Sequence, residues 1–271
     1  MNDKLMEQVM AEVVKKMGNM KDGEEEMEVG KKPVENVLKQ FGSAGMTEFV
    51  GTAEGDTIGL VIANVDSELL SAMNIGTEYR SIGIIGARTG AGPQVMAADE
   101  AVKATNTEIV AVELPRDTKG GAGHGSLIVF GAHDVSDARR AVEVTLKELD
   151  RTFGDVYGND AGHIELQYTA RASHALEKAF GAKIGQAFGV IVGAPAAIGL
   201  IMADTAVKSA TVDVISYGSP ANAPYPNECT LFVSGDSGAV RQAVLSAKEV
   251  GVSLLSVLGG EEALSTTTPY I

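Results

Sequence analysis

The sequence has no tryptophan, a single cysteine, 5% aromatic residues and no surplus of basic charge. Cys229 alone closes no intrachain disulfide and completes no multi-cysteine metal site. The 22 Lys and Arg face 36 Asp and Glu, a formal net charge of −14. With no cationic cluster to neutralise phosphates, nucleic acid is not an expected partner. Long apolar runs are also missing: GVIVGAPAAIGLIMA (189–203) is cut by Gly and Pro and is shorter than the roughly 18 residues a span needs. No membrane partner is expected. The first residues lack a basic segment followed by an apolar stretch, so the composition is that of a cytoplasmic protein.

What is present is 45% apolar and 21% charged residues with 32 glycines. That excludes disorder for most of the chain and suits one large domain or two small ones, built of thin, closely packed layers. Residues 1–45 differ. They are rich in Met and charge, with the solvated run KDGEEEMEVGKKP at 21–33, and are read as an extension. Within it Leu5, Val9, Val13 and Met17 recur at helical spacing, which predicts an amphipathic helix. Such a helix is marginal alone, so its stripe requires a surface to pack on, either the protein's own body or another protein. Met46 is a candidate internal start.

From Glu48 on, strand-like and helix-like pieces alternate. IGLVIANV (58–65), SIGIIGA (81–87), TEIVAVEL (107–114) and SLIVFGA (126–132) read as strands, with helices from Asp66, around 94–105, and from Ser136 to Leu149. IELQYTA (164–170) starts the series over, ending in a helix from Ser237 to Val250. ADEAVKATNTEIV (98–110) aligns without gaps on ADTAVKSATVDVI (203–215), with five identities. Further on, Arg139 aligns with Arg241. The pattern predicts duplicated domains of α/β or α+β class.

Several motifs fail their tests. GDSG (235–238) resembles a serine-protease nucleophile segment, but it runs on into AVRQAV, an amphipathic helix. Asp236 or Ser237 is therefore read as a helix cap, as are Asp134 and Ser136 in the other half. GARTGAGP (86–93) lies between strand and helix, yet fits neither phosphate-binding glycine pattern. His124, His133, His163 and His174 lack metal-ligand spacing. No catalytic constellation, metal site or cofactor is expected. Two equivalent loops, DTKGGAGHGS (117–126) and SPANAPYPNE (219–228), are rich in small and polar residues. Around a symmetry axis they would line an opening for small polar molecules. Lys103 and Lys208 fall at the same place in each repeat, where they read either as solvated lysines or, given the duplication, as edge contacts.

These residues together resemble the tandem-domain bacterial microcompartment shell proteins of the circularly permuted trimeric class. AADEAVKATNTEIV and MADTAVKSATVDVI are similar to the family's signature helix and strand. EFVGTAEGDTIGLVIANVDS, YRSIGIIGARTGAGP and ELDRTFGDVYGNDAGHIELQYTARAS are similar to members from propanediol-utilisation compartments, and the resemblance runs from Thr47 to Ile271. It implies an α+β fold of two permuted shell domains, 46–158 and 159–271, each an antiparallel sheet with flanking helices in ferredoxin-like layers, after the extension at 1–45.

It further implies a non-enzymatic homotrimer that tiles a shell in the cytoplasm with other shell proteins. Lys103 and Lys208 would lie at tile edges. Glu113, Lys119, Gly120, Gly121, His124, Ser219, Asn222, Tyr225 and Asn227 would lie in the pore loops. Thr89, Gly90, Ala91, Ser126 and Phe153 would line openings between subunits. With small or hydroxyl groups there, the expected ligand is an uncharged polyol, glycerol or 1,2-propanediol. Leu5, Val9, Val13 and Met17 would tether encapsulated enzymes. The rival class is a soluble trimeric sensor or enzyme of duplicated α/β domains.

Overall fold

A computed structural model describes residues 47–115, 125–221 and 227–271. The extension at 1–45, with its expected helix, lies outside the described residues. The described residues belong to one compact unit, Ala44–Ile271, in which the same set of elements occurs twice. The first is β1 (Thr47–Ala53), β2 (Thr57–Ala63), α1 (Ser67–Ala72), β3 (Ser81–Ala87), α2 (Gly92–Ala104), β4 (Glu108–Glu113), β5 (Ser126–Ala132) and α3 (Val135–Thr152). The second is β6 (Val156–Asn159), β7 (Gly162–Thr169), α4 (His174–Phe180), β8 (Ala187–Ala194), α5 (Ala196–Ser209), β9 (Asp213–Gly218), β10 (Cys229–Gly235) and α6 (Ser237–Gly259). A short β11 (Leu264–Ser265) follows.

Each set forms an antiparallel sheet, in the orders β1-β2-β3-β5-β4 and β11-β6-β7-β8-β10-β9. The order is the same in both halves apart from β11, so duplication is visible in topology as well as in sequence. The expected junction between residues 158 and 159 falls within the β6–β7 hairpin, whose residues Asn159 and Gly162 pair.

Strands alternate, so one face of each sheet packs on helices and the other is left for something else. In the second half Ile164 and Leu166 join Met202, Val240 and Val244 in a core beneath α5 and α6. Gly83 and Gly189 let the long helices α3 and α6 approach. A Cβ at Gly83 would come within 2.8 Å of Ala138 O, and one at Gly189 within 2.9 Å of Val244 Cγ2.

Three details differ from expectation. β1 and β6 are strands that the periodicity did not mark, each being short or broken by glycine. α6 runs to Gly259 rather than Val250. The expected side-chain caps at Asp236 and Asp134 are not made, and Ser237 Oγ instead bonds Tyr168 Oη at 2.6 Å. Asp66 does cap α1, accepting from Glu68 N at 2.8 Å and Leu69 N at 3.3 Å.

Candidate functional site

The β1–β2 turn, the loop before α2 and the end of α3 meet at one place. Gly55 (φ +74°) and Asp56 (φ 49°) turn the chain, and Thr57 Oγ1 donates back to Glu54 O at 2.5 Å. Thr89 N donates to Gly55 O at 3.3 Å. Gln94, fully buried on the first turn of α2, donates through Nε2 to Thr57 Oγ1 (3.1 Å) and Thr89 O (3.0 Å). The Phe153 ring at the end of α3 closes the cluster: a Cβ on Gly55 would stand 2.5 Å from it, and one on Gly90 3.2 Å. Gly90 also has φ +74°, so both positions need glycine for conformation and for space. An open cavity of about 670 Å³ lies beside this turn, bounded by residues 52–58 and Thr89.

Thr89, Gly90 and Phe153, three of the residues expected at an inter-subunit opening, are thus brought into contact. Ala91 follows as the residue preceding α2 and makes no side-chain cap. Ser126 sits on β5 opposite Ala87 and is buried. Its Oγ and Gln94 Oε1 are buried polar atoms without a hydrogen-bond partner among the described residues. Such atoms are costly unless a further group satisfies them. Gln94, Gly55 and Thr57 escaped the sequence reading. The turn signal EGDT was present, but nothing in it pointed to α2.

Of the pore-loop candidates, Lys119, Gly120, Gly121, His124, Asn222 and Tyr225 lie outside the described residues. Glu113 is exposed at the end of β4, and Ser219 follows β9. Asn227 Oδ1 accepts from Ala196 N at 3.2 Å and so tethers its loop to the start of α5. Lys103 is drawn inward, 2.6 Å from buried Asp99 and 2.9 Å from Glu100, with 28% of its side chain exposed. Lys208 is 73% exposed and pairs with Asp204 at 2.7 Å.

The two halves are joined where α2 lies on the outer face of β7 and against α4. Asp99 Oδ1 accepts from Ser173 N (2.9 Å) and Ser173 Oγ (2.5 Å), and Gln167 Nε2 donates to Thr152 O at 2.8 Å. Glu165 is buried in this seam. Burial, and then the neighbouring Glu228 carboxylate, push its pKa up to about 8, against the Gly92 N–H that bonds it. A Cβ on Gly92 would fall on the Glu165 carboxyl group. Glu228 also lies 3.6 Å from His163. Even so, among the described residues no group of three or more His, Cys, Asp or Glu is placed to hold a metal.

The repeat assigns a counterpart to every seam residue. The bonds Val65 N to Arg80 O and Ala172 N to Gln186 O align β2–α1 with β7–α4, so Ile58 matches Glu165 and Leu69 matches Leu176. On the gap-free helix alignment Leu200 and Ile201 match Val95 and Met96. The first-half and second-half members that meet within the chain, Val95, Met96 and Leu176, are 0% exposed. Their counterparts Leu200, Ile201 and Leu69 are 53%, 47% and 47% exposed. Both sides of a second seam are therefore present on one molecule and left uncovered.

The BMC domain model matches residues 81–160 and again 187–261. The chain is 63% identical over 262 residues to the bacterial microcompartment shell protein PduB of Salmonella typhimurium, covering 96% of each. It is 53% identical over 226 residues to the PduB of Limosilactobacillus reuteri, covering 83% of this chain and 94% of that one. The crystal structure of a trimeric shell protein PduB superposes with a TM-score of 0.79 at 52% identity, covering 82% of this chain and 99% of that one. The match begins each time after the first hairpin and helix of a half, as a permuted order requires.

Proposed function

The chain belongs to the BMC-domain family of bacterial microcompartment shell proteins, and from that premise we propose that it is a structural tile in the shell of a cytoplasmic 1,2-propanediol or glycerol compartment. The observation that carries the reading is the uncovered second seam. A head-to-tail contact in which α5 and β9 of one copy cover β2 and α1 of the next repeats the internal seam. Repeated around a three-fold axis it closes a ring of six similar domains. The similar PduB crystal structure is described as trimeric.

Closure of that ring brings the Gly55–Thr89–Gln94–Phe153 cluster, at the start of β2 and of α2, towards a subunit boundary. Gln94 Oε1, Ser126 Oγ and the Thr89 hydroxyl supply uncharged hydrogen-bonding groups there, and Phe153 supplies an apolar wall. This combination suits glycerol or 1,2-propanediol better than an ion. The loops holding Glu113, Ser219 and Asn227 surround the axis in the same arrangement. Exposed Lys208 serves contact with neighbouring tiles, and Lys103 does so through the part of its side chain left in solvent.

The extension at 1–45 serves encapsulated enzymes through Leu5, Val9, Val13 and Met17. Two comparisons support a separate role for it. The match to the Salmonella protein covers 96% of the chain and so takes in most of the extension. The match to the Limosilactobacillus reuteri protein takes in 83% of this chain and 94% of that one, about the length of the two shell domains without the extension.

The test is negative-stain electron microscopy of the purified protein at low salt, with Lys208→Ala and a variant lacking residues 1–45. Two-dimensional sheets from wild type and from the shortened chain, weakened by Lys208→Ala, are the expected result. The shortened chain should also lose co-purifying cargo. Discrete particles from all three proteins would refute the tile.

A further inference from the structure

Apart from the seam and the openings, one cleft gathers positive charge on an acidic molecule. The ends of α2, α3 and β7, the start of α6 and the C-terminal tail line a cavity of about 480 Å³. Its cations are Lys103, Arg151, Arg171 and Arg241, and its anions are Glu100 and Glu148. The two carboxylates are already engaged, Glu148 with Arg151 at 2.8 Å and Glu100 with Lys103 at 2.9 Å. Asp99, beneath, also takes Lys103. Among the described residues Arg171 and Arg241 form no ion pair. Two guanidinium groups are thus left over, and in a chain of net charge −14 such a spot concentrates small anions.

The walls are fixed in place. The Arg151 guanidinium lies 4.8 Å from the centre of the Tyr270 ring. The backbone N–H groups of Tyr270 and Ile271 both donate to buried Asp155 Oδ2 at 2.9 Å. Arg171 is held by its turn, its N–H donating to Thr169 Oγ1 at 3.3 Å. Duplication did not produce this cleft. Arg139, the counterpart of Arg241, is committed to Glu48 and Glu143, and Ser253 stands where Arg151 would be repeated. The cationic cleft therefore occurs once per chain.

Arginine forks match the paired oxygens of a phosphoryl group, and the cavity is in the range of small-metabolite sites. We infer that this cleft binds a small organic phosphate, its phosphoryl group held by Arg171 and Arg241 and its remainder lying along Arg151 and Tyr270.

The test is calorimetric titration of the full-length protein with glycerol 3-phosphate, comparing Arg171→Gln, Arg241→Gln, the double variant and Arg140→Gln, a control on an exposed arginine outside the cleft. Both cleft arginines are exposed, so their loss leaves the fold intact. Saturable binding to wild type is expected, weakened about ten-fold by each single change and abolished by both. It should weaken with added salt, persist in Arg140→Gln and resist competition by glycerol. Absence of saturable binding to wild type, or equal binding by the double variant, would overturn the site. Equal affinity for inorganic phosphate would overturn the organic ligand.

Discussion

Glu165 is the residue whose chemistry departs furthest from its sequence appearance. In IELQYTA it alternates with Ile164 and Leu166, which face the core of their own half. The face it occupies is outer for its own sheet but is covered by α2 of the other half, a fact no local pattern carries. A carboxyl group held at about 8 keeps in the folded state a proton that the unfolded chain releases above about 4.3. Stability therefore falls as pH climbs from that value towards 8 and then levels off. Glu165→Gln keeps an acceptor for the Gly92 N–H and removes the titration. Thermal unfolding of the variant should be flatter across this window, with a gain of about 5 kcal/mol over wild type at pH 8. Parallel melting curves for the two proteins from pH 5 to 9 would show that Glu165 is ionised when folded. The Gly55–Thr89–Gln94–Phe153 cluster was equally hidden. Thr89, Gly90 and Phe153 were reached through family resemblance, while Gln94, which ties the cluster together, looked like an ordinary helix residue.

Elements were the more legible scale. The helices with an apolar stripe and the strands rich in Ile and Val lie close to where periodicity puts them, because each buries one face in its own half. The errors fall where glycine had two meanings. Gly251 looks like a helix stop, yet a Cβ there would come within 2.6 Å of Met202 Sδ. It marks the close crossing of α6 over α5, and Gly260 (φ +70°) ends the helix instead. The tail after β11 has no periodicity at all, and the backbone of its last two residues is anchored on one buried group. Asp155 Oδ1 accepts from Lys248 at 2.6 Å and Tyr157 at 3.0 Å, and Oδ2 accepts from the backbone of Tyr270 and Ile271. Asp155→Ala leaves Lys248 without its partner and releases the backbone of Tyr270 and Ile271. A loss of about 3 kcal/mol is expected by urea unfolding, together with faster proteolysis of the last residues. A variant that retains wild-type stability and a protected tail would show that the anchor lies elsewhere.

At the scale of the whole molecule, duplication makes the outer surface predictable from the inner one. The internal seam mixes polar and apolar contacts, with Glu165, Gln167 and the Asp99–Ser173 pair among them. Its counterpart offers Ile58 for Glu165 and Leu60 for Gln167, so the uncovered seam is more apolar than the covered one. That is the reverse of what a monomer would tolerate in water, and it fits an interface covered soon after folding. Asp66 and Asp204, the counterparts of Ser173 and Asp99, bring two carboxylates to the same boundary. A charge placed at the centre of this seam should therefore stop the ring from closing without unfolding the chain. Ile58→Glu and Ile201→Glu should each elute as monomers by size exclusion with light scattering, where wild type gives trimers. Val257→Glu, an equally drastic change at a residue 81% exposed outside the seam, should leave the trimer intact. If Val257→Glu dissociates the protein and the two isoleucine variants do not, the subunits meet along the end of α6, and the correspondence between the inner and outer seams fails.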